Sequence, residues 1–250
     1  MIRNLAKEYL VYGGFPEVIA SPKDLHAPLI QGYMDAVVLR DIVRRHSIQN
    51  ALIVQKFLFQ ILRQLAAPLS VTKIYRTLKS LGLALGKNSL FEYLKYFEEA
   101  YAVLTVPFFS LSERKKQVNP HKVYPIDPGI ITAYSVKPDC ERGALLETAV
   151  FMHLRRSYTH ICYYKNQQQK EVDFVITTAQ GELLLYQASV EMSDERTRKR
   201  EISALFEICL EFGLSIGKII TEDHEEIMVQ DGITLECIPY WRWALIPAHL

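Results

Sequence analysis

Glu147, Asp173, Gln187 and Ser189 are polar residues set in apolar surroundings, and their types could support chemistry. Glu147 lies near the buried side of an amphipathic stretch over 143–156, an odd place for a carboxylate. Asp173 stands in Glu171-Val172-Asp173-Phe174, which reads as a strand. Gln187 and Ser189 share one face of the following strand, where Asp173 could also point from its neighbour. A second group is cationic. Arg114, Lys115 and Lys116 are consecutive in a polar segment between two strand-like runs, a charge density suited to duplex phosphates. Lys87 and Asn88 open a helix nearby in the chain and are further candidates for DNA contact.

Other chemistries find no support. A phosphate-cradling loop needs Gly-Lys-Ser/Thr after a buried strand, so that backbone N–H groups and the lysine converge on the phosphates, and no such motif occurs. The cysteines at 140, 162, 209 and 237 stand alone, without CxxC and without a histidine at zinc spacing. They read as small core residues rather than as a disulfide or zinc framework. The histidines are scattered, and the Trp241-Arg242-Trp243 stretch reads as a packing anchor. The net charge of +1 advertises neither nucleic acid nor membrane, so any basic surface must be local. No run approaches the ~20 apolar residues of a membrane span, and no secretory leader is evident. The expectation is a cytoplasmic chain without membrane partners.

The elements that must hold these residues follow from periodicity. Helical spacing before and after Tyr12-Gly13-Gly14-Phe15-Pro16-Glu17 predicts a helical lead-in over 1–50. Helices over 52–65, 71–81 and from about 87 follow, with Ser89 and Glu92 at capping-box spacing. Two apolar runs, 101–109 and 122–126, flank the polar segment as a hairpin. A helix-turn-helix with such a hairpin is a winged helix, so 51–126 is expected to be one domain. Residues 127–250 alternate helix and strand as αβββαβ, the layering of an α/β domain with a mixed sheet. The chain as a whole is expected to be α/β, or α+β overall.

Tyr12-Gly13-Gly14-Phe15-Pro16-Glu17, a helix ending in Arg40-Asp41-Ile42, and Lys122-x-Tyr124-x-x-Asp127-Pro128-Gly129 resemble the region that follows the ATPase module in a family of prokaryotic AAA-type ATPases. The Glu171-x-Asp173 pair is also similar to that family's own motif. The resemblance covers nearly the whole chain. It implies an ATPase core that would precede Met1, so that ATP would be reached only through that core. The core is then a natural partner.

The α/β half also resembles the PD-(D/E)XK restriction-endonuclease-like fold. That resemblance implies Glu147 as the helix acid, Asp173 as the strand acid, and Gln187-Ala188-Ser189 where Glu-x-Lys belongs. In that fold the carboxylates hold one or two Mg2+ and the lysine orients water. Serine cannot replace a cationic lysine. Lys165, Lys170 and Lys199 are the candidates for a displaced one. The sequence therefore points to a non-catalytic effector module that contacts double-stranded DNA or a partner protein, with Glu147 and Asp173 as a vestigial metal pair. No cofactor is expected in this chain, unless an active site retains Mg2+. A working nuclease and a pure interaction scaffold are the rivals.

Overall fold

A computed structural model describes residues 1–135 and 141–246, so Cys140 lies outside the described residues. The chain is mixed α/β and forms two compact units. A helical unit holds Val11–Thr105 and Pro120–Glu141. A sheet unit holds Met1–Leu10, Val106–Asn119 and Arg142–Leu250.

In the helical unit, α2 (Pro16–Ala20) and α3 (His26–Ala36) follow the end of α1 (Ile2–Tyr12). α3 runs on into a π-helical stretch, Val37–Arg44. Ile30, Met34, Val38 and Ile42 recur at four-residue intervals on this long helix and are buried. They share a core with Val54, Phe57 and Ile61 of α4 (Ala51–Leu62), Ile74 of α5 (Val71–Ser80) and Leu90 and Phe97 of α6 (Lys87–Glu99). The lead-in and the segment after residue 50 are thus one apolar body. Asn50 and Ser70 cap α4 and α5 through the backbone N–H of Ile53 and Lys73. α6 begins after Gly86, which offers no side-chain cap, so Ser89 sits inside its first turn rather than capping it.

After α6, β1 (Val103–Val106) pairs with β2 (Lys122–Pro125). A third piece of chain lies along β2. Ala66 donates to the Val123 carbonyl at 3.2 Å and Leu69 to the His121 carbonyl at 2.8 Å. Pro125, Ile126 and Asp127 lead into α8 (Pro128–Tyr134).

The sheet unit is built on six strands: β3 (Ile161–Lys165), β4 (Glu171–Thr177), β5 (Leu183–Ser189), β6 (Ile216–Thr221), β7 (Glu226–Gln230) and β8 (Ile233–Pro239). Their order is β3-β4-β5-β6-β8-β7. β4 runs antiparallel to both β3 and β5, β5, β6 and β8 are parallel, and β7 returns antiparallel on β8. On one face α10 (Glu195–Phe212) buries Leu205, Ile208 and Cys209 against Val172, Val175, Leu185, Ile219 and Leu235. α9 (Arg142–Arg155) packs on β5, and its Phe151 stacks on Phe174 at 6.0 Å between ring centres. Trp243 of α11 (Tyr240–Trp243) lies against Tyr186 and His153, which bears out a packing role for that stretch.

The polar segment between β1 and β2 departs from a simple hairpin tip. Pro107 to Phe109 runs parallel to β3: Phe109 donates to the Tyr163 carbonyl at 2.7 Å, and Tyr163 donates to that of Pro107 at 3.0 Å. Proline fits this edge because only its carbonyl is needed there. The following residues form a helix, α7 (Glu113–Val118), within the sheet unit.

Candidate functional site

Asp173 and Gln187 face each other across β4 and β5, next to the paired residues Phe174 and Tyr186. The β3–β4 register shifts between Cys162 and Tyr164, so β4 carries an extra residue at Asp173-Phe174. Such a bulge interrupts the ladder. Side chains fill the gap. Gln187 Oε1 accepts the Asp173 N–H at 3.1 Å, and Asp173 Oδ2 accepts the Ala188 N–H at 3.0 Å. Gln187 Nε2 then donates to Glu201 Oε2 on α10 at 2.7 Å. Arg200 donates to Glu201 Oε1 through Nη2 at 2.6 Å and Nε at 3.0 Å. Asp173, Gln187 and Glu201 are all buried, so each unmade bond would carry a desolvation cost.

The structure therefore joins two of the four positions expected to be nuclease-like. Glu201 and Arg200 are members that sequence reasoning missed, because nothing in their spacing ties α10 to β5. Ser189 is buried at the end of β5, beside Thr221 of β6. Glu147 is half-buried on α9. Among the described residues, neither Glu147 nor Asp173 belongs to a group of three acid, imidazole or thiol side chains with ligand atoms within 4.8 Å of one another. The one such group is His224, Glu226 and Cys237.

The candidate displaced lysines have acidic partners. Lys165 lies 3.7 Å from Glu171, Lys199 2.6 Å from Glu195, and Lys170 3.6 Å from Glu207 while donating to Ser203 Oγ at 2.6 Å. Arg200 joins the Asp173–Gln187–Glu201 chain as a cation.

Arg114 and Lys115 are exposed on α7, and Lys116 pairs with Glu113 at 2.7 Å. They lie on a helix rather than at a loop tip, because the segment is anchored at both ends before it turns. Lys115 also borders a groove of about 1180 Å3, floored by Phe109, Tyr164 and Phe212 and edged by Leu111 and Glu207. Lys87 and Asn88 are exposed at the start of α6, with the Lys87 amine 5.9 Å from the centre of the Phe91 ring. Lys87 and Asn88 belong to the helical unit, and the α7 cations to the sheet unit.

In the helical unit, the two sequence motifs meet at one carboxylate. Asp127 caps α8 by accepting the Gly129 N–H at 2.8 Å, and it accepts the Gly14 N–H at 2.7 Å. Gly13 has φ +79, and a Cβ there would lie 1.7 Å from Asp127 Oδ1. A Cβ on Gly129 would lie 2.4 Å from the Tyr12 carbonyl oxygen. Both glycines are thus demanded by the close approach of the two turns. Burial pushes the Asp127 carboxyl up to about 6, against the opposing pull of the two N–H donors.

These features define a mixed α/β chain in which a helical unit with a short hairpin accompanies a six-stranded mixed sheet. Residues 3–139, more than half of the chain, match the family described as domain of unknown function DUF8612, and the chain belongs to that family. Residues 142–242 match a second, the domain of unknown function DUF4143. The chain is 30% identical over 248 residues to a Methanocaldococcus jannaschii protein described as uncharacterized protein MJ1544, covering 95% of this chain and 55% of that protein. It is 25% identical over 195 residues to an uncharacterized protein of Haemophilus influenzae, covering 78% of this chain and 48% of that protein. The chain thus spans about half the length of the curated relatives it matches. No solved structure gives a significant match. Among the described residues, no helix is long and apolar enough to cross a membrane.

Proposed function

We propose that this chain is a non-cleaving effector module of an AAA-type ATPase, which contacts duplex DNA mainly through its phosphates. The reading is carried by the bracket at Asp173. A carboxylate that holds a metal must offer oxygens to the ion. Here one of them takes a backbone N–H of the next strand, and its neutral neighbour Gln187 is held by Glu201. Arg200, a cation in this chain of bonds, pairs with Glu201.

Three observations support the rest. DUF4143 domains are typically found after AAA ATPase modules, and the relatives have room for such a module. The order α4, α5, α6, β1, β2, with residues 66–69 laid along β2, supports the winged-helix reading. Arg114 and Lys115 project from α7. Docking of a partner protein is the second reading, favoured by Leu111, which is 96% exposed at the rim of the aromatic groove.

A cleavage assay separates this account from a working nuclease. Supercoiled and linear DNA incubated with the chain and Mg2+ or Mn2+ should stay intact. Cleavage that disappears in both Asp173→Ala and Glu147→Ala would overturn the proposal.

A further inference from the structure

A second group of side chains converges at the other edge of the sheet unit. β7 and β8 pair with Glu226 opposite Cys237. His224 stands two residues before Glu226, in a turn where Thr221 Oγ1 donates to its carbonyl at 2.5 Å. An imidazole, a carboxylate and a thiol are thereby gathered, with their ligand atoms all within 4.8 Å of one another. His224 Nε2 lies 3.0 Å from Glu226 Oε2.

We propose that His224, Glu226 and Cys237 form a binding site for a thiophilic divalent cation of the zinc type, with a fourth position open to water. One nitrogen, one oxygen and one sulfur donor are a set that zinc accepts, and three protein ligands plus water is its open form. With zinc–ligand bonds of about 2.0–2.3 Å, tetrahedral donors stand roughly 3.3–3.8 Å apart, so small side-chain rotations suffice. Cys237 is buried and fixed by strand pairing, whereas His224 and Glu226 are half-exposed and give the ion a route in.

Arg198 holds both oxygens of Glu226. Its Nη2 donates to Glu226 Oε1 at 2.6 Å and to Oε2 at 2.7 Å, its Nε reaches Oε2 at 3.3 Å, and Nη2 lies 3.7 Å from Met228 Sδ. When the ion takes Oε2, the guanidinium keeps Oε1 and orients the carboxylate, as outer partners of metal ligands commonly do. Thiolate and carboxylate offset the two positive charges of the ion, and Arg198 leaves the site with one net positive charge. On binding, the Cys237 S–H bond breaks, a sulfur–metal bond forms, and the proton leaves to solvent. A thiolate donor favours ions with high affinity for sulfur, which disfavours Mg2+ and Ca2+. The sequence conceals the site because His224 and Glu226 reach Cys237 only through the β7–β8 pairing.

Titration of the chelator-stripped chain with Co2+, followed by absorbance, tests this directly. The expected result is one equivalent bound, with a thiolate-to-cobalt charge-transfer band and the visible absorption of a tetrahedral ion. Zn2+ should abolish both, and excess Mg2+ should leave them. Cys237→Ala should remove the charge-transfer band. His224→Asn, a half-exposed position whose replacement leaves the core intact, should weaken binding roughly tenfold or more, since even outer partners matter by that factor. Alanine at Cys140, Cys162 and Cys209 should change nothing. Absence of a thiolate band at stoichiometric Co2+, its survival in Cys237→Ala, or unaltered affinity in His224→Asn would each overturn the proposal.

Discussion

Asp127 does at the residue scale what neither turn it joins could do alone. It is a buried carboxyl held up to about 6, so between about pH 4 and pH 6 the folded chain keeps a proton that the unfolded chain has lost. The contribution of this group to stability is therefore greatest below about pH 4 and falls as pH rises through 6, by about 2–3 kcal/mol in all. The difference in unfolding free energy between the parent and Asp127→Asn, measured by denaturant melts across this range, should change by that amount in the parent's favour on acidification. A flat difference would show that the carboxyl titrates normally. Gly13→Ala should cost more than about 3 kcal/mol, because a positive φ and a collision with Asp127 coincide there.

Gln187 gives a second prediction at this scale. Gln187→Glu alone sets a carboxylate against that of Glu201 and should cost about 2–3 kcal/mol of stability, the price of a buried donor lost to repulsion. The double variant Gln187→Glu/Glu201→Gln restores a donor–acceptor pair and should recover most of the loss in thermal or denaturant melts. Additive losses would show that the two side chains act independently. The Asp173–Gln187 pairing was legible in the sequence, since strand alternation puts both on neighbouring strands. Its use was not: the bulge that turns the carboxylate onto a backbone N–H depends on how Tyr163 meets two residues of β4.

Elements were legible where their periodicity was strong. The apolar stripe of α4 and the apolar runs of β4 and β5 gave a helix and strands where they are found. The cationic segment was harder. A run of Ser-Glu-Arg-Lys-Lys-Gln reads as a solvated tip, and only the pairing of Pro107–Phe109 with Tyr163 shows that it is tethered and helical. β7 was missed because its residues are mostly exposed and its apolar pattern is short. The helical placement of the cations makes a prediction. Replacing Gln117 by proline should break the Asn119–Lys115 backbone bond's helix and weaken DNA binding several-fold, with little change in sheet stability by circular dichroism. Unchanged binding would remove α7 from the interface.

Over the whole molecule, the boundaries of family and of packing differ. The first family match runs to residue 139, yet residues 106–119 pack with the sheet that belongs to the second. A division at residue 126 suited the sequence because helix-turn-helix and hairpin are contiguous there. It could not reveal a strand edge that borrows residues from the preceding domain. Function was less legible than fold, since the contacts that join Asp173, Gln187 and Glu201 depend on three-dimensional packing that spacing does not show.

The account stands or falls on phosphate binding by this chain. Anisotropy of a labelled duplex of about 30 base pairs, titrated with EDTA present at 50 and 200 mM salt, measures it most directly. With two or three cations engaged, affinity should fall roughly 10- to 40-fold between the two salt concentrations. Reversal of Arg114, Lys115 and Lys116 to glutamate should then abolish both the binding and its salt dependence. No binding at the lower salt, or binding indifferent to the reversal, would contradict the account and favour a partner protein for the same fold.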